Sequence, residues 1–346
     1  MAYTTINKHT DYFNTKLYTG NETDNHAITG VGFQPDFTWI KTRGTVKHHA
    51  IFDAVRGATK YLQSNTTAVE GTEAISLKSF DSDGFTLGTG ATLAVVNQST
   101  TMASWNWKAN GAGSSNTDGT ITSTVSANQT AGFSIVKWTG TGANATVGHG
   151  LGSAPKVIII KGLSTTYDWV YGSDDIAWTN YLTLNTTNAS NSGSSVWNNT
   201  DPTSSVFSVG SNLATNSSSV EHIAYCFAEK KGFSKFGAYS GDGSTDGIFI
   251  YLGFRPSFFL VKNTATTEDW MLYDNKRDAN NVMQTRLRPN RNIADTTNTD
   301  YYVDFLSNGI KLRAVNSAFN GSGNTMIYMA FGQSLVGSNN VPCTAR

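Results

Sequence analysis

Few residues in this chain are placed to do chemistry. Two carboxylate pairs stand out, Asp81 with Asp83 and Asp174 with Asp175. Paired acids facing each other across a groove can hydrolyse a glycosidic bond. These pairs lie in Gly/Ser-rich segments, where neighbouring acids ordinarily shape turns, and Asp81 and Asp83 have no acidic counterparts in the matching stretch further on. His48-His49 is the one histidine pair. Adjacent residues on a strand point to opposite faces, so two such rings make a poor metal site. His149 and His222 stand alone. Cys226 sits in the apolar run Ile223-Ala224-Tyr225-Cys226-Phe227-Ala228, and Cys343 lies near the C-terminus. Two thiols make no disulfide framework and offer no metal-ligand spacing. No nucleophile elbow, P-loop or His-Glu-x-x-His motif occurs. The expectation is a protein without catalytic residues, cofactor or metal.

Aromatic residues are the better candidates for binding. Tyr18, Trp138 and Tyr239 recur at one position, Trp169 and Trp270 at a second, and Phe33 and Phe254 at a third, where the intervening copy has the shorter Leu151. Exposed rings stack on sugar faces while nearby Asn and Asp bind hydroxyls. Those seven aromatics form the candidate ligand-binding set. Aromatics that recur at fixed strand positions are more often core, and that is the competing reading for all of them. Asp53 and Asp274, beside the second position, read as turn formers.

The recurrence has a frame. Tyr18-Thr19-Gly20, Trp138-Thr139-Gly140 and Tyr239-Ser240-Gly241 are each followed fifteen residues after the Gly by a proline, Pro35, Pro155 and Pro256. Six residues later comes a lysine, Lys41, Lys161 and Lys262. Between them lie Asp36-Phe37-Thr38-Trp39-Ile40, Lys156-Val157-Ile158-Ile159-Ile160 and Ser257-Phe258-Phe259-Leu260-Val261, each strand-like and opened by a proline suited to a first strand position. Each copy closes with an Asn and an aromatic-rich strand, from Asn97 to Trp107, Asn216 to Phe227 and Asn320 to Phe331. Fixed self-similarity of this kind marks a repeat. The lysines, at strand ends, read as solvated charges that block edge pairing.

This frame predicts an all-β chain of three tandem β-sandwich, jelly-roll-like repeats at 12–110, 132–231 and 232–334. Short strands separated by turn signals at 8–12-residue spacing suit such a sandwich. Residues 1–11 form an N-terminal arm and 335–346 a C-terminal tail, both natural anchoring segments. Residues 111–131, rich in Gly, Ser, Thr and Asn, read as a flexible or extended linker. Met326-Ile327-Tyr328-Met329-Ala330-Phe331 is continuously apolar, which predicts a central strand packed on both faces or against a neighbouring copy.

Composition narrows the function classes. Lys and Arg number 25 and so do Asp and Glu, giving a formal net charge of +0, and only 14% of residues are charged. Such a chain has no basic stripe for nucleic acid and no field to draw it to an anionic membrane. Its apolar runs, such as Val157 to Ile160, are far too short to span a bilayer. The N-terminal residues carry no apolar stretch of the secretory kind, so cytoplasmic synthesis is expected. No heptad pattern specifies a coiled-coil trimer.

The chain also resembles a known group. Tyr18-Thr19-Gly20-Asn21, Gly30-Val31-Gly32-Phe33-Gln34-Pro35-Asp36-Phe37-Thr38-Trp39-Ile40-Lys41, Phe52-Asp53-Ala54-Val55-Arg56-Gly57-Ala58 and Phe80-Asp81-Ser82-Asp83-Gly84-Phe85 carry the likeness. Tyr225-Cys226-Phe227-Ala228-Glu229-Lys230-Lys231-Gly232-Phe233 and the ending Tyr328-Met329-Ala330-Phe331-Gly332-Gln333-Ser334 extend it. These motifs resemble a repeated domain of unknown function in virion proteins of tailed bacteriophages, notably marine phages. The resemblance implies a place in the virion, as a tail fibre, tail-tip component or capsid decoration. It implies other virion proteins as partners, a homo-oligomer and no catalytic residues. The alternative expectation is a carbohydrate-binding module that recognises a host-surface glycan.

Overall fold

The computed structural model describes residues 3–90 and 95–336, and it is all-β. Twelve strands make its inner layer. In the first stretch these are β1 (Phe13–Thr19), β2 (Phe37–Thr42), β3 (Ala50–Asp53) and β4 (Thr101–Trp107). The second has β5 (Phe133–Thr139), β6 (Val157–Gly162), β7 (Val170–Ser173) and β8 (Glu221–Phe227). The third has β9 (Ser234–Ser240), β10 (Phe254–Asn263), β11 (Met271–Asp274) and β12 (Thr325–Ser334). One antiparallel order occurs three times: β1-β4-β2-β3, β5-β8-β6-β7 and β9-β12-β10-β11.

Strand alternation gives the central inner strands two buried faces, while the edge strands β1 and β9 are partly exposed. Side chains two apart share a face. On β2, Phe37 and Trp39 face one core and Ile40 another. On β8, Ile223, Tyr225 and Phe227 face one core while Ala224 and Cys226 face another. On β12 the split is Ile327, Met329 and Phe331 against Met326, Tyr328 and Ala330, so this strand is packed on both faces.

The first face of all twelve strands' arrays meets in one shared core. Trp105, Trp107, Tyr225, Phe227, Met329 and Phe331 come from the three closing strands and lie in it together. The second face of each array is covered from outside by a small antiparallel sheet. These are His26–Thr29 with Gly84–Leu87 and Leu77–Asp81, Ala145–Gly148 with Val206–Val209, and Phe249–Tyr251 with Gly309–Leu312 and Val303–Leu306. Their Phe85, Phe207 and Ile310 fill the three outer cores.

Three expectations need correction. The stretch 111–131 is not a flexible linker. Ser123–Asn128 pairs along β5, Ser114–Asn116 pairs with it, and together they widen the second array at that edge. Two apolar side chains in a polar stretch explain this, because Ile121 and Val125 are buried in the second outer core. Ile121 also bridges Val147 and so covers the edge of the small sheet there. Pro256 does not open its strand. It lies inside β10 at a register shift between Pro256 and Phe258, a bulge position where a missing N–H is tolerated. The described part of the N-terminal arm docks on its own chain. Ile6 is buried in the shared core, Tyr3 Oη donates to Gly253 O, and His9 N donates to Gln333 Oε1. Residues 337–346 of the tail, with Cys343, lie outside the described residues.

Candidate functional site

Most of the seven candidate aromatics are core. Phe33, Trp138, Trp169, Phe254 and Trp270 are each at most 4% exposed, which leaves no face for a ligand to stack on. Tyr18 and Tyr239 are half-buried against the first and third outer cores. Each spends its hydroxyl on a backbone carbonyl, Val96 O at 2.7 Å and Phe319 O at 2.6 Å. Recurring large apolar rings are what two buried faces per strand demand, so the frame marked packing positions.

The recurring lysines are not solvated charges. Lys41, Lys161 and Lys262 are fully buried. Each Nζ donates to the carbonyls one and four residues ahead, Thr42 and Thr45, Gly162 and Thr165, Asn263 and Thr266. The lysine thus closes the loop that follows its strand, using an ammonium to satisfy carbonyls that the turn leaves unpaired. Burial pulls each ammonium down to about 8.

The carboxylate pairs also build loops. Asp83 accepts from Gly30 N and Gly32 N, and Asp81 accepts from Ser79 Oγ and Thr86 Oγ1. Asp174 accepts from Lys156 Nζ and Trp178 Nε1, while Asp175 takes Ser173 Oγ. The two histidines of the pair diverge. His49 is buried and accepts from Trp39 Nε1 at 2.9 Å, so its Nε2 carries the proton and donates to Arg288 O at 3.1 Å. Burial, with Lys41 nearby, holds the ring well below the usual histidine range. His149 is buried between Thr203 O and Leu151 N, and His222 stacks on Trp138. Cys226 is buried and free, and its thiol is raised by that burial. Among the described residues no group of three or more His, Cys, Asp and Glu could hold a metal ion, and no helix is long and apolar enough to cross a membrane.

Polar groups that the frame did not reveal cross between the three stretches. Backbone N–H groups at matching places donate head to tail: Glu70 to Leu163 O at 2.7 Å, Ser190 to Thr264 O at 2.8 Å and Asp295 to Arg43 O at 2.8 Å. A second cycle uses side chains. Trp169 Nε1 donates to Gln63 O, Trp270 Nε1 to Thr183 O, and His49 fills the same position toward Arg288 O. Both cycles close, joining first to second, second to third and third to first.

Two of the junctions also hold a buried ion pair. Arg56 Nε donates to Asp53 Oδ2 at 2.5 Å and Arg277 Nε to Asp274 Oδ2 at 2.5 Å, with all four side chains at most 1% exposed. A neighbouring stretch adds a donor to each acid, Tyr225 Oη to Asp53 at 2.8 Å and Trp105 Nε1 to Asp274 at 3.1 Å. Burial alone would lower the two guanidinium groups, but the adjacent acids raise both. Asp53 and Asp274 are therefore junction residues as well as turn formers. At the third junction the matching positions are Met329 and Ser173, and the acid and its donor are missing together.

Among the described residues is a surface groove of mixed chemistry, of about 350 Å³. It lies on the second stretch between the loop before β7, the strand Asn180–Thr183 and the turn at Asn212–Ala214. Tyr167 and Leu213 are exposed at its rim and Tyr181 is half-buried in its wall.

Residues 8–334 match a family model described as a domain of unknown function, DUF7483. The chain belongs to this family. The match takes in all three arrays, both hydrogen-bond cycles and the groove, so the shared core, apart from Ile6, lies within one family domain. No curated protein matches the chain.

Sequence reasoning missed the lysine plugs, the junction acids and the groove for one reason. A buried charge and an exposed one look the same along a chain. The signal that was present was the fixed place of the lysines in a strand of otherwise buried residues, and the Asp-x-x-Arg spacing shared by 53–56 and 274–277.

Proposed function

We propose that the chain consists of three tandem β-sandwich, jelly-roll-like repeats closed head to tail around a shared core. We propose further that it serves as a structural component of a tailed-phage virion, displayed on the particle exterior as tail fibre, tail tip or capsid decoration. The observation that carries this reading is the pair of closed hydrogen-bond cycles, in which each stretch donates a backbone N–H to the next one and a ring N–H to the one before it. A ring closed by equivalent contacts is how cyclic oligomers are built. Here it is made within one chain, and His49 is one of the side chains that close it. Such a body is a rigid spacer, suited to bearing load and presenting surfaces rather than to turning over a substrate.

The virion setting rests on the motif resemblance described above, with synthesis in the host cytoplasm. Other virion proteins and further copies of the chain would attach through the outer small sheets, since the shared core is already filled. The test is particle imaging with a tagged chain. Label at a regular place on the outside of intact particles is the expected result. A chain found only in the infected-cell lysate, and never on purified particles, would overturn the reading.

A further inference from the structure

We propose that the groove on the second stretch binds a neutral saccharide. Its wall and rim offer two tyrosine rings, Tyr167 and Tyr181, with the exposed side chain of Leu213 beside them. Neither tyrosine hydroxyl has a partner among the described residues, so both rings bring an apolar face and a free polar tip to the same concavity. Around them stand Asp168, Asn188 and Asn212. Each has hydrogen-bonding capacity left over. Asp168 uses Oδ1 for Asn185 Nδ2 and leaves Oδ2, Asn212 uses Oδ1 for Ala214 N and leaves its amide N–H groups, and the Asn188 side chain makes no bond.

Stacking faces flanked by one carboxylate and carboxamides match a pyranose ring, which has apolar C–H faces and an equator of hydroxyls that both donate and accept. A volume of about 350 Å³ lies at the low end of small-ligand pockets and suits one or two sugar rings. The charge of the lining selects the class. Asp168 is its one charged side chain, and Lys161, the buried lysine whose charge Asp168 feels, is turned to its own loop carbonyls and does not line the groove. An acidic sugar would meet a carboxylate in a lining that holds no cation.

The place is also particular to this stretch. At the position of Tyr181 the first stretch has Tyr61, only 7% exposed, with Gly71 packed so close that a Cβ there would lie 2.3 Å from the ring. The third has Arg286, buried and laid over Tyr301 at 3.4 Å. One groove per chain is therefore expected. The proposal stands whether or not the chain is part of a particle.

Saturation-transfer NMR on the intact protein tests it, with lactose, maltose, cellobiose and the methyl glycosides of mannose, galactose and glucose as probes at millimolar concentration. At least one neutral sugar should receive transfer. Tyr167→Ala should weaken it by about tenfold or more while leaving the melting temperature unchanged, since that ring is at the rim. Tyr251→Ala, an exposed aromatic on the third stretch, serves as control and should change nothing. No transfer to any probe would overturn the proposal, as would binding that survives Tyr167→Ala or that is lost in Tyr251→Ala. Sialyllactose bound as well as lactose would overturn the neutral class.

Discussion

An ammonium group held out of water is costly unless its protons are used. In Lys161 two of them are, on Gly162 O at 3.1 Å and Thr165 O at 2.8 Å. Replacing the lysine by methionine keeps the stem and leaves both carbonyls without that donor. Lys161→Met is expected to lose about 1–2 kcal/mol in equilibrium urea unfolding at neutral pH, the range for buried groups left unpaired after the relief of desolvation is credited. The junction acids carry a larger effect. Asp53→Asn leaves the Arg56 guanidinium buried beside a neutral amide and should cost about 3–5 kcal/mol. Tyr225→Phe removes one hydrogen bond to a charged acceptor across the junction and should cost roughly 2 kcal/mol. If Tyr225→Phe is neutral in the same unfolding experiment, the junction does not depend on that bond.

At the scale of elements, the second array shows how one architecture accommodates different fillings. By strand register Gly172 stands where Phe52 and Tyr273 stand in the other arrays. A glycine at a central strand position would ordinarily leave a void. Here Trp178 and Trp197 occupy the space, their rings 5.1 Å apart and nearly perpendicular. A Cβ on Gly172 would meet Trp197 at 2.5 Å and Trp178 at 2.6 Å. Gly172→Ala should therefore destabilise by about 1–3 kcal/mol through overpacking. Its melting temperature, compared with that of wild type, reads the effect, and an unchanged value would mean that the pair yields easily. Edge protection follows the same logic. The widened second array hides its small-sheet edge under Ile121, whereas Phe249 and Tyr251 leave the third small sheet with exposed aromatics.

For the whole molecule, the titrating groups predict a stability maximum on the alkaline side of neutrality. The three lysines titrate at about 8 when folded and at 10.5 otherwise. Between those values the unfolded chain holds protons the folded one has released, so stability rises with pH across that window. Buried Tyr18, Tyr171, Tyr225, Tyr239 and Tyr273 have the opposite sign. Their hydroxyls are raised by burial, so their contribution is complete below 10.0 and is lost above it. His9 and His222, pulled by burial to about 4 from 6.5, remove stability as pH falls through that interval. Melting curves from pH 4 to 11 should thus climb from acid to about pH 9–10 and then drop. Lys161→Met should flatten about one third of the alkaline rise. A curve that falls steadily above pH 7 would contradict the buried state of the lysines.

The sequence by itself determined where most of the inner strands lie. The Gly-to-Pro-to-Lys spacing and the alternating apolar runs placed most of the inner strands, because period-two burial and turn chemistry are local properties written along the chain. It also determined the β class and the absence of a basic stripe. Tertiary structure decided which residues face water. Sequence leaves the candidate aromatics between core and stacking platform, and Lys41, Lys161 and Lys262 look solvated, because a single strand suggests one buried face and one wet face. Packing three arrays on a shared core buries both faces, turning the aromatics into core and the lysines into loop plugs. The same packing set residues 63, 183 and 288 against partners from another stretch. It also brought Tyr167, Tyr181 and Leu213, spread over more than forty residues, to one groove. Contacts of that separation depend on how sheets close in space, and no local pattern encodes them.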